Sequence, residues 1–173
     1  MAKYYLWLTP EGEAGHLLAQ VIRQLSQQYQ GPCFDPHITL LGELLGDESL
    51  FSERANLLGK KLCPISIELQ GPAFEDEYFR CLYFKVRKNS EILDAREQGI
   101  DFFCQKLPLP FNPHVSVLYG LFPARVKEEI IAALPSDLPK KFIVEELKLV
   151  RAESLNPQDW YPVETIRLQG LSD

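Results

Sequence analysis

Asp35-Pro36-His37-Ile38-Thr39-Leu40-Leu41-Gly42 has a second copy in the same chain, Asn112-Pro113-His114-Val115-Ser116-Val117-Leu118-Tyr119-Gly120. Both read Pro-His, an apolar residue, a hydroxyl residue, two more apolar residues and a glycine soon after. An Ile/Val/Leu-rich run bounded by Pro and Gly is a strand signal. Alternate residues of a strand point to the same face. His37 and Thr39 therefore share one face, and His114 and Ser116 share one face of a second strand. Ile38, Leu40, Val115 and Val117 point the other way, into a core.

Each copy thus presents an imidazole beside a hydroxyl. Histidine gives or takes a proton near neutrality. Two of them on one cavity can serve as base and acid on opposite sides of a reacting atom. Hydrolysis of a phosphodiester needs that pairing, because the attacking water loses a proton while the leaving oxygen gains one. The hydroxyls of Thr39 and Ser116 can donate to non-bridging phosphate oxygens and stabilise their charge. One His-x-Ser/Thr alone is explained as well by a half-buried strand histidine bonded to a neighbour. Here two of the chain's three histidines sit in matched frames, which favours a catalytic or phosphate-binding pair. His16 has no such frame and reads as a structural or solvent-facing residue of a first helix.

The two motifs resemble those that define the 2H phosphoesterase superfamily, and the closest likeness is to its cyclic phosphodiesterase branch. Trp7 within Tyr5-Leu6-Trp7-Leu8-Thr9-Pro10, the approach Gly31-Pro32-Cys33-Phe34, Phe79-Arg80-Cys81 and the segment from Trp160 to Leu168 extend the likeness along nearly the whole chain. The resemblance implies an α+β fold, with two pseudo-symmetric antiparallel sheets forming a central cleft and helices outside. It also implies hydrolysis of ADP-ribose 1″,2″-cyclic phosphate or nucleoside 2′,3′-cyclic phosphates, giving ADP-ribose 1″-phosphate or nucleoside 2′-phosphates. In that setting His37 and His114 are catalytic, Thr39 and Ser116 bind phosphate, and Trp7, Phe79 and Tyr119 line the substrate pocket. The provisional order is His114 as base and His37 as acid, although the near-symmetry of the motifs leaves that order open. RNA ends, as for 2′-5′ RNA ligase-like members, and a non-catalytic nucleotide-binding module are the alternative readings.

Tyr119 lies five residues past His114, so a straight strand aims it away from the cleft; a bend at Gly120 would return it. Read without the resemblance, Trp7 and Phe79 fit a core equally well. The cluster Arg80, Lys85, Arg87 and Lys88 reads as a solvated strand end, with a second-phosphate contact as the alternative. The acidic run Glu75-Asp76-Glu77 reads as a solvated loop.

The 173 residues suit a single domain with a sizeable core, spanning 1–173 as two internal lobes. Net charge is −6, from 24 acidic and 18 basic residues, which argues against a long nucleic-acid partner. The expected partner is a small cyclic-phosphate nucleotide. No run reaches the roughly 20 apolar residues that cross a bilayer, and the N-terminus has no signal-peptide pattern. A cytoplasmic monomer is expected. Cys33, Cys63, Cys81 and Cys104 are widely spaced and read as reduced thiols. Neither they nor the histidines have metal-site spacing, so the sequence asks for no metal or other cofactor.

Periodicity predicts strands at Lys3–Leu8, Ile65–Gln70, Phe79–Val86, Phe142–Ala152 and Val163–Leu168, besides the two motif strands. Helices are expected from about Glu11 to Gln28, from Asp47 or Ser49 to Lys61 with Leu50, Phe51, Leu57 and Leu58 inward, from Ser90 to Gln105, and from Pro123 onward. Gly31-Pro32 closes the first helix, and Pro108 and Pro110 lead into the second motif strand. The order strand, helix, motif strand, helix repeats after residue 79, which suggests two similar lobes.

Overall fold

The structure is a computed structural model, which describes residues 2–105 and 110–171. The expected prolines before the second motif therefore divide: Pro108 lies outside the described residues and Pro110 within them. The chain runs β1 (Lys3–Thr9), α1 (Gly12–Tyr29), β2 (Ile38–Leu44), α2 (Glu48–Lys61), β3 (Ile65–Phe74), β4 (Leu82–Val86), α3 (Ser90–Phe102), β5 (His114–Leu118), α4 (Ala124–Ala133), β6 (Lys141–Val144), β7 (Glu146–Ala152) and β8 (Trp160–Arg167). Single 3-10 turns at Tyr78–Arg80 and Pro157–Asp159 complete it.

The strands form two four-stranded sheets, in the orders β2-β1-β7-β8 and β5-β4-β3-β6. Every pairing is antiparallel. The expected α+β architecture is present, and the repeat is visible in it. β1-α1-β2-α2 is echoed by β4-α3-β5-α4, and each motif strand is the edge strand of its own sheet. The first sheet draws strands from both ends of the described chain, whereas β3 to β6 build the second alone.

Period-two burial defines the layers. Tyr4, Leu6 and Leu8 of β1 are buried in the core with Ile38, Leu40, Leu147 and Leu149. The residues between them, Lys3, Tyr5 and Trp7, face the other side and line a cavity. α2 lies against β7 and β8, α3 against β2 and β3, and α1 against β5. α1 thus packs on the second sheet although it leads into the first. Val21, Ile22 and Leu25 of its buried stripe meet Leu82, Phe84 and Leu118 there, while Leu18 joins the core of the first sheet.

Caps account for the helix starts. Asp47 accepts from the Leu50 amide and Asn89 from the Ile92 amide, each at 2.9 Å. α1 closes on Gln30 in the left-handed region, with its N–H on the Ser26 carbonyl, one residue before the expected Gly31-Pro32. Of the four residues expected inward on α2, Phe51 and Leu58 are buried while Leu50 and Leu57 face solvent.

Four strand boundaries differ from the sequence reading, the simplest being β8, which starts at Trp160 and not at Val163. β3 passes through Gly71-Pro72, since a register shift between Leu69 and Pro72 absorbs the proline. Phe79 belongs to a 3-10 turn, and β4 begins only at Leu82. The apolar stretch from Phe142 to Ala152 is two strands in different sheets: β6 pairs with β3 and β7 with β1. Period-two burial cannot reveal which partner a strand takes.

Candidate active site

β2 and β5 approach each other between the two sheets, so the duplicated motifs meet. His37, Thr39, His114 and Ser116 line one cavity of about 510 Å³, together with Trp7, Phe79 and Tyr119. All seven expected site residues are therefore brought together. Pairing sets the detail: Trp7 stands opposite Thr39 on the first sheet, and Tyr83 opposite Ser116 on the second.

The two imidazoles are held in the same way. His37 Nδ1 lies 2.7 Å from the Asp35 carbonyl oxygen, and His114 Nδ1 lies 2.8 Å from that of Asn112. A carbonyl only accepts, so each Nδ1 carries a proton and donates it, leaving Nε2 as the free ring nitrogen. In both copies a proline separates the histidine from that carbonyl residue. Proline has no N–H and biases the residue before it to an extended backbone, which suits this i−2 contact.

Aromatic support differs between the halves. The Trp7 ring stacks on His37 with centroids 3.7 Å apart and planes 12° apart. Tyr83 meets His114 edge-on at 5.0 Å and 61°. His37 is buried, whereas His114 is partly exposed. Burial lowers His37 to about 4; the Asp35 hydrogen bond opposes this, and the charges of His114 and Lys148 add to it. His114 is lowered too, first by burial, with the Asn112 bond opposing, Arg80 lowering and Glu75 raising.

The hydroxyls are also unequal. Ser116 Oγ donates to the Phe79 carbonyl at 3.0 Å, so the turn before β4 holds its proton. Tyr119 bonds Ser116 as well, and burial pushes its phenol up. Tyr119 reaches the cleft for a reason other than the expected bend at Gly120. Ser116 pairs with Tyr83 and Leu118 with Leu82, two steps on β5 for one on β4. That bulge inserts a residue and reverses the alternation, turning Tyr119 back beside His114 and Ser116. The first copy has the same bulge, with Thr39 opposite Trp7 and Leu41 opposite Leu6. Its counterpart of Tyr119 is Gly42, where a side chain would meet the Tyr5 ring at 3.3 Å.

Trp160, a wall residue that the motifs do not indicate, comes from β8. It lies 5.9 Å from Trp7, 5.8 Å from Phe79 and 6.2 Å from Tyr119, and so joins the two lobes. Its indole donates to the Ser154 carbonyl at 2.7 Å, tying it to the loop that carries Leu155 to the cavity rim. The signal lay in the resemblance of the Trp160 segment, but periodicity gives a terminal strand no address.

Arg80 also lines the cavity, parting from the charge cluster in which the sequence placed it. Arg87 pairs with Glu68 at 3.3 Å and Lys88 bonds Asn112 at 3.3 Å, while Lys85 is exposed. Glu75 is likewise no solvated loop residue, for it binds Arg80 and the Tyr83 hydroxyl. Across the cavity, Lys3 pairs with Glu43 at 3.1 Å. His16 is exposed on α1, away from the cleft. Among the described residues no cluster of His, Cys, Asp and Glu has the grouping of a metal site, and all four cysteines are free thiols.

The model of the 2′-5′ RNA ligase superfamily matches residues 6–156. A cyclic phosphodiesterase of Arabidopsis thaliana is 25% identical over 121 residues, which is 68% of this chain and 65% of that protein. The match thus spans just under two thirds of the relative's length. Among solved structures, Escherichia coli LigT complexed with 3′-AMP superposes with a TM-score of 0.64 at 13% identity, covering 96% of this chain and 98% of that one. TT0787 of Thermus thermophilus gives 0.66 at 20% identity, covering 97% and 98%. These two likenesses concern the fold. No helix among the described residues is long and apolar enough to cross a membrane.

Proposed function

We propose that this chain, which belongs to the 2′-5′ RNA ligase superfamily, is a hydrolase that opens small cyclic phosphodiesters by acid–base catalysis between His37 and His114. The observation that carries the reading is the matched pair of imidazoles. Each is fixed through Nδ1 to a backbone carbonyl, and both rings border one cavity, from opposite sheets. The activity in the Arabidopsis relative's name supports the same reaction type.

The bond changes are an in-line exchange. A neutral imidazole takes a proton from water at Nε2, the water oxygen bonds phosphorus, and the phosphorus–ribose oxygen bond breaks. The second imidazole, protonated, gives its Nε2 proton to that leaving oxygen. Deep burial makes His37 the neutral partner, hence the base. The bound phosphate anion raises both imidazoles, and the more solvated His114 takes the proton, hence the acid. This order reverses the provisional one read from sequence. Thr39 and Ser116 donate to the non-bridging oxygens, Ser116 by turning its proton away from the Phe79 carbonyl. The chemistry requires no metal, because the protein supplies the acid, the base and both donors.

The substrates are ADP-ribose 1″,2″-cyclic phosphate and nucleoside 2′,3′-cyclic phosphates, handled by a cytoplasmic monomer. The aromatic wall of Phe79, Tyr119 and Trp160 suits a base or ribose. LigT structures with 3′-AMP and with ATP are in keeping with a small nucleotide ligand. The test is product formation from each substrate, with and without EDTA, for wild type, His37→Ala and His114→Ala. Turnover that survives EDTA and collapses in both variants is expected. Binding without turnover refutes the reaction, and cleavage of RNA ends alone shifts the substrate to RNA.

A further inference from the structure

The turn between β3 and β4 carries one carboxylate that points inward. Glu75 Oε1 receives the Arg80 guanidinium and, at 2.7 Å, the Tyr83 hydroxyl. Both partners border the second histidine: Arg80 lines the cavity, and the Tyr83 ring lies 5.0 Å from that of His114. Glu75 itself lies behind them and does not line the cavity. The turn is in turn fixed from its far side. Lys127 of α4 is 1% exposed, a burial seldom seen for a lysine unless its charge is met. It donates to the Glu75 carbonyl oxygen at 2.9 Å and to Asp76 Oδ1 at 2.7 Å, with its ammonium 4.8 Å from the centre of the Phe74 ring. The turn also closes on itself, the Glu75 amide donating to the Arg80 carbonyl at 3.0 Å.

We infer that Glu75 is a positioning residue for the His114 half of the site, holding Arg80 and Tyr83 against that histidine from a turn that Lys127 clamps. An arginine at a cleft mouth has many rotamers, most of them in solvent. A carboxylate behind it selects the one in which the guanidinium faces the cavity and can meet an anion there. The same carboxylate offsets the arginine's charge, so a donor stands beside His114 without stripping that ring of its proton. The first half of the site needs no such device, since Trp7 stacks directly on His37.

Only the consequence for turnover rests on the proposed hydrolysis, so the test reads the unliganded protein. The His114 ring is titrated by NMR, its signal assigned by its loss in His114→Gln. Glu75→Gln keeps an amide oxygen to hold Arg80 but removes the compensating charge, so His114 should bind its proton about threefold more weakly than in wild type. Glu75→Ala releases Arg80 to solvent, so the affinity should recover above that of Glu75→Gln. Arg80→Gln should raise it above wild type. The other charged or titratable groups near His114 are Lys85 across the β4–β5 pair, Tyr83 on the same strand as Lys85, Tyr119 further along β5's own chain, His37 on the opposite sheet and Lys88 beside Asn112. All are common to the three variants and cannot produce that order. Glu75→Ala at or below Glu75→Gln, or Arg80→Gln at or below wild type, overturns the inference. A wild type that opens no cyclic phosphate leaves this titration readable, so the two ideas fail separately.

Discussion

Replacing His37 with glutamine should flatten the acid side of the protein's stability curve. In the folded chain His37 titrates at about 4, against an ordinary value of 6.5, because protonation would place a charge in a buried site beneath the Trp7 ring. The unfolded chain takes up that proton as pH falls through 6.5, while the folded chain resists until about 4. Stability is therefore fully present above the unfolded value and declines as pH drops through this window. At 1.36 kcal/mol per pKa unit, the loss between pH 7 and pH 4.5 is about 2 to 3 kcal/mol from this one group. Glutamine cannot titrate. His37→Gln also loses the Asp35 contact and the ring stack, but those losses are an offset that does not vary with pH. The assay is urea unfolding at pH 7 and at pH 4.5 for both proteins. The variant should lose about 2 to 3 kcal/mol less than wild type over the interval, or several degrees of melting temperature at this size. Equal losses in the two proteins would refute the argument that burial keeps His37 neutral.

Further outcomes follow from the same geometry. The pH profile of kcat/KM should be a bell with its maximum on the acid side of neutrality. Below about 4 His37, the proposed base, is charged, and above the lowered value of His114 the proposed acid is lost. A maximum above pH 8, with chemistry rate-limiting, would contradict the assignment. Trp7→Phe should lower kcat by about threefold to tenfold, the worth of an aromatic stack, with circular dichroism unchanged; unaltered kcat would free His37 from its dependence on that ring. Thr39→Val, which removes one donor at nearly constant volume, should cost about a hundredfold in kcat while leaving the pH limbs in place. Trp160→Ala should raise KM for nucleoside 2′,3′-cyclic phosphates more than it lowers kcat, and the reverse pattern in steady-state kinetics would remove Trp160 from the binding wall.

The sequence made the centre of this site legible because duplication and strand alternation are local properties. A Pro-His start, a hydroxyl two residues on and an apolar back face suffice to place His37 with Thr39 and His114 with Ser116. What it hid depends on partners distant in the chain. Tyr119 faces the cleft through a bulge that exists only against β4. Trp160 joins the wall because β8 pairs with β7, which pairs with β1. Asp76 and Glu77 are exposed as the acidic run suggested, but Glu75 turns inward to Arg80 and Tyr83, on a turn that Lys127, about fifty residues later, ties down. A run such as Phe142–Ala152 reads as one apolar stretch, yet Glu145 divides it between two sheets.

The arrangement of strands between the sheets also bears on the order in which the molecule can be made. β3 to β6 are consecutive, so the sheet carrying His114 can assemble as soon as residues 65–144 have left the ribosome. The sheet carrying His37 has only β1 and β2 at that moment, and a two-stranded ribbon is marginal in water. It waits for β7, whose pairing with β1 closes a loop of about 140 residues, an entropically slow step, and then for β8 on β7. Until then the apolar back of β1 lacks Leu147 and Leu149 and part of it is open to wrong partners. One histidine of the proposed pair would thus be in place during synthesis, and the other only when β8 arrives.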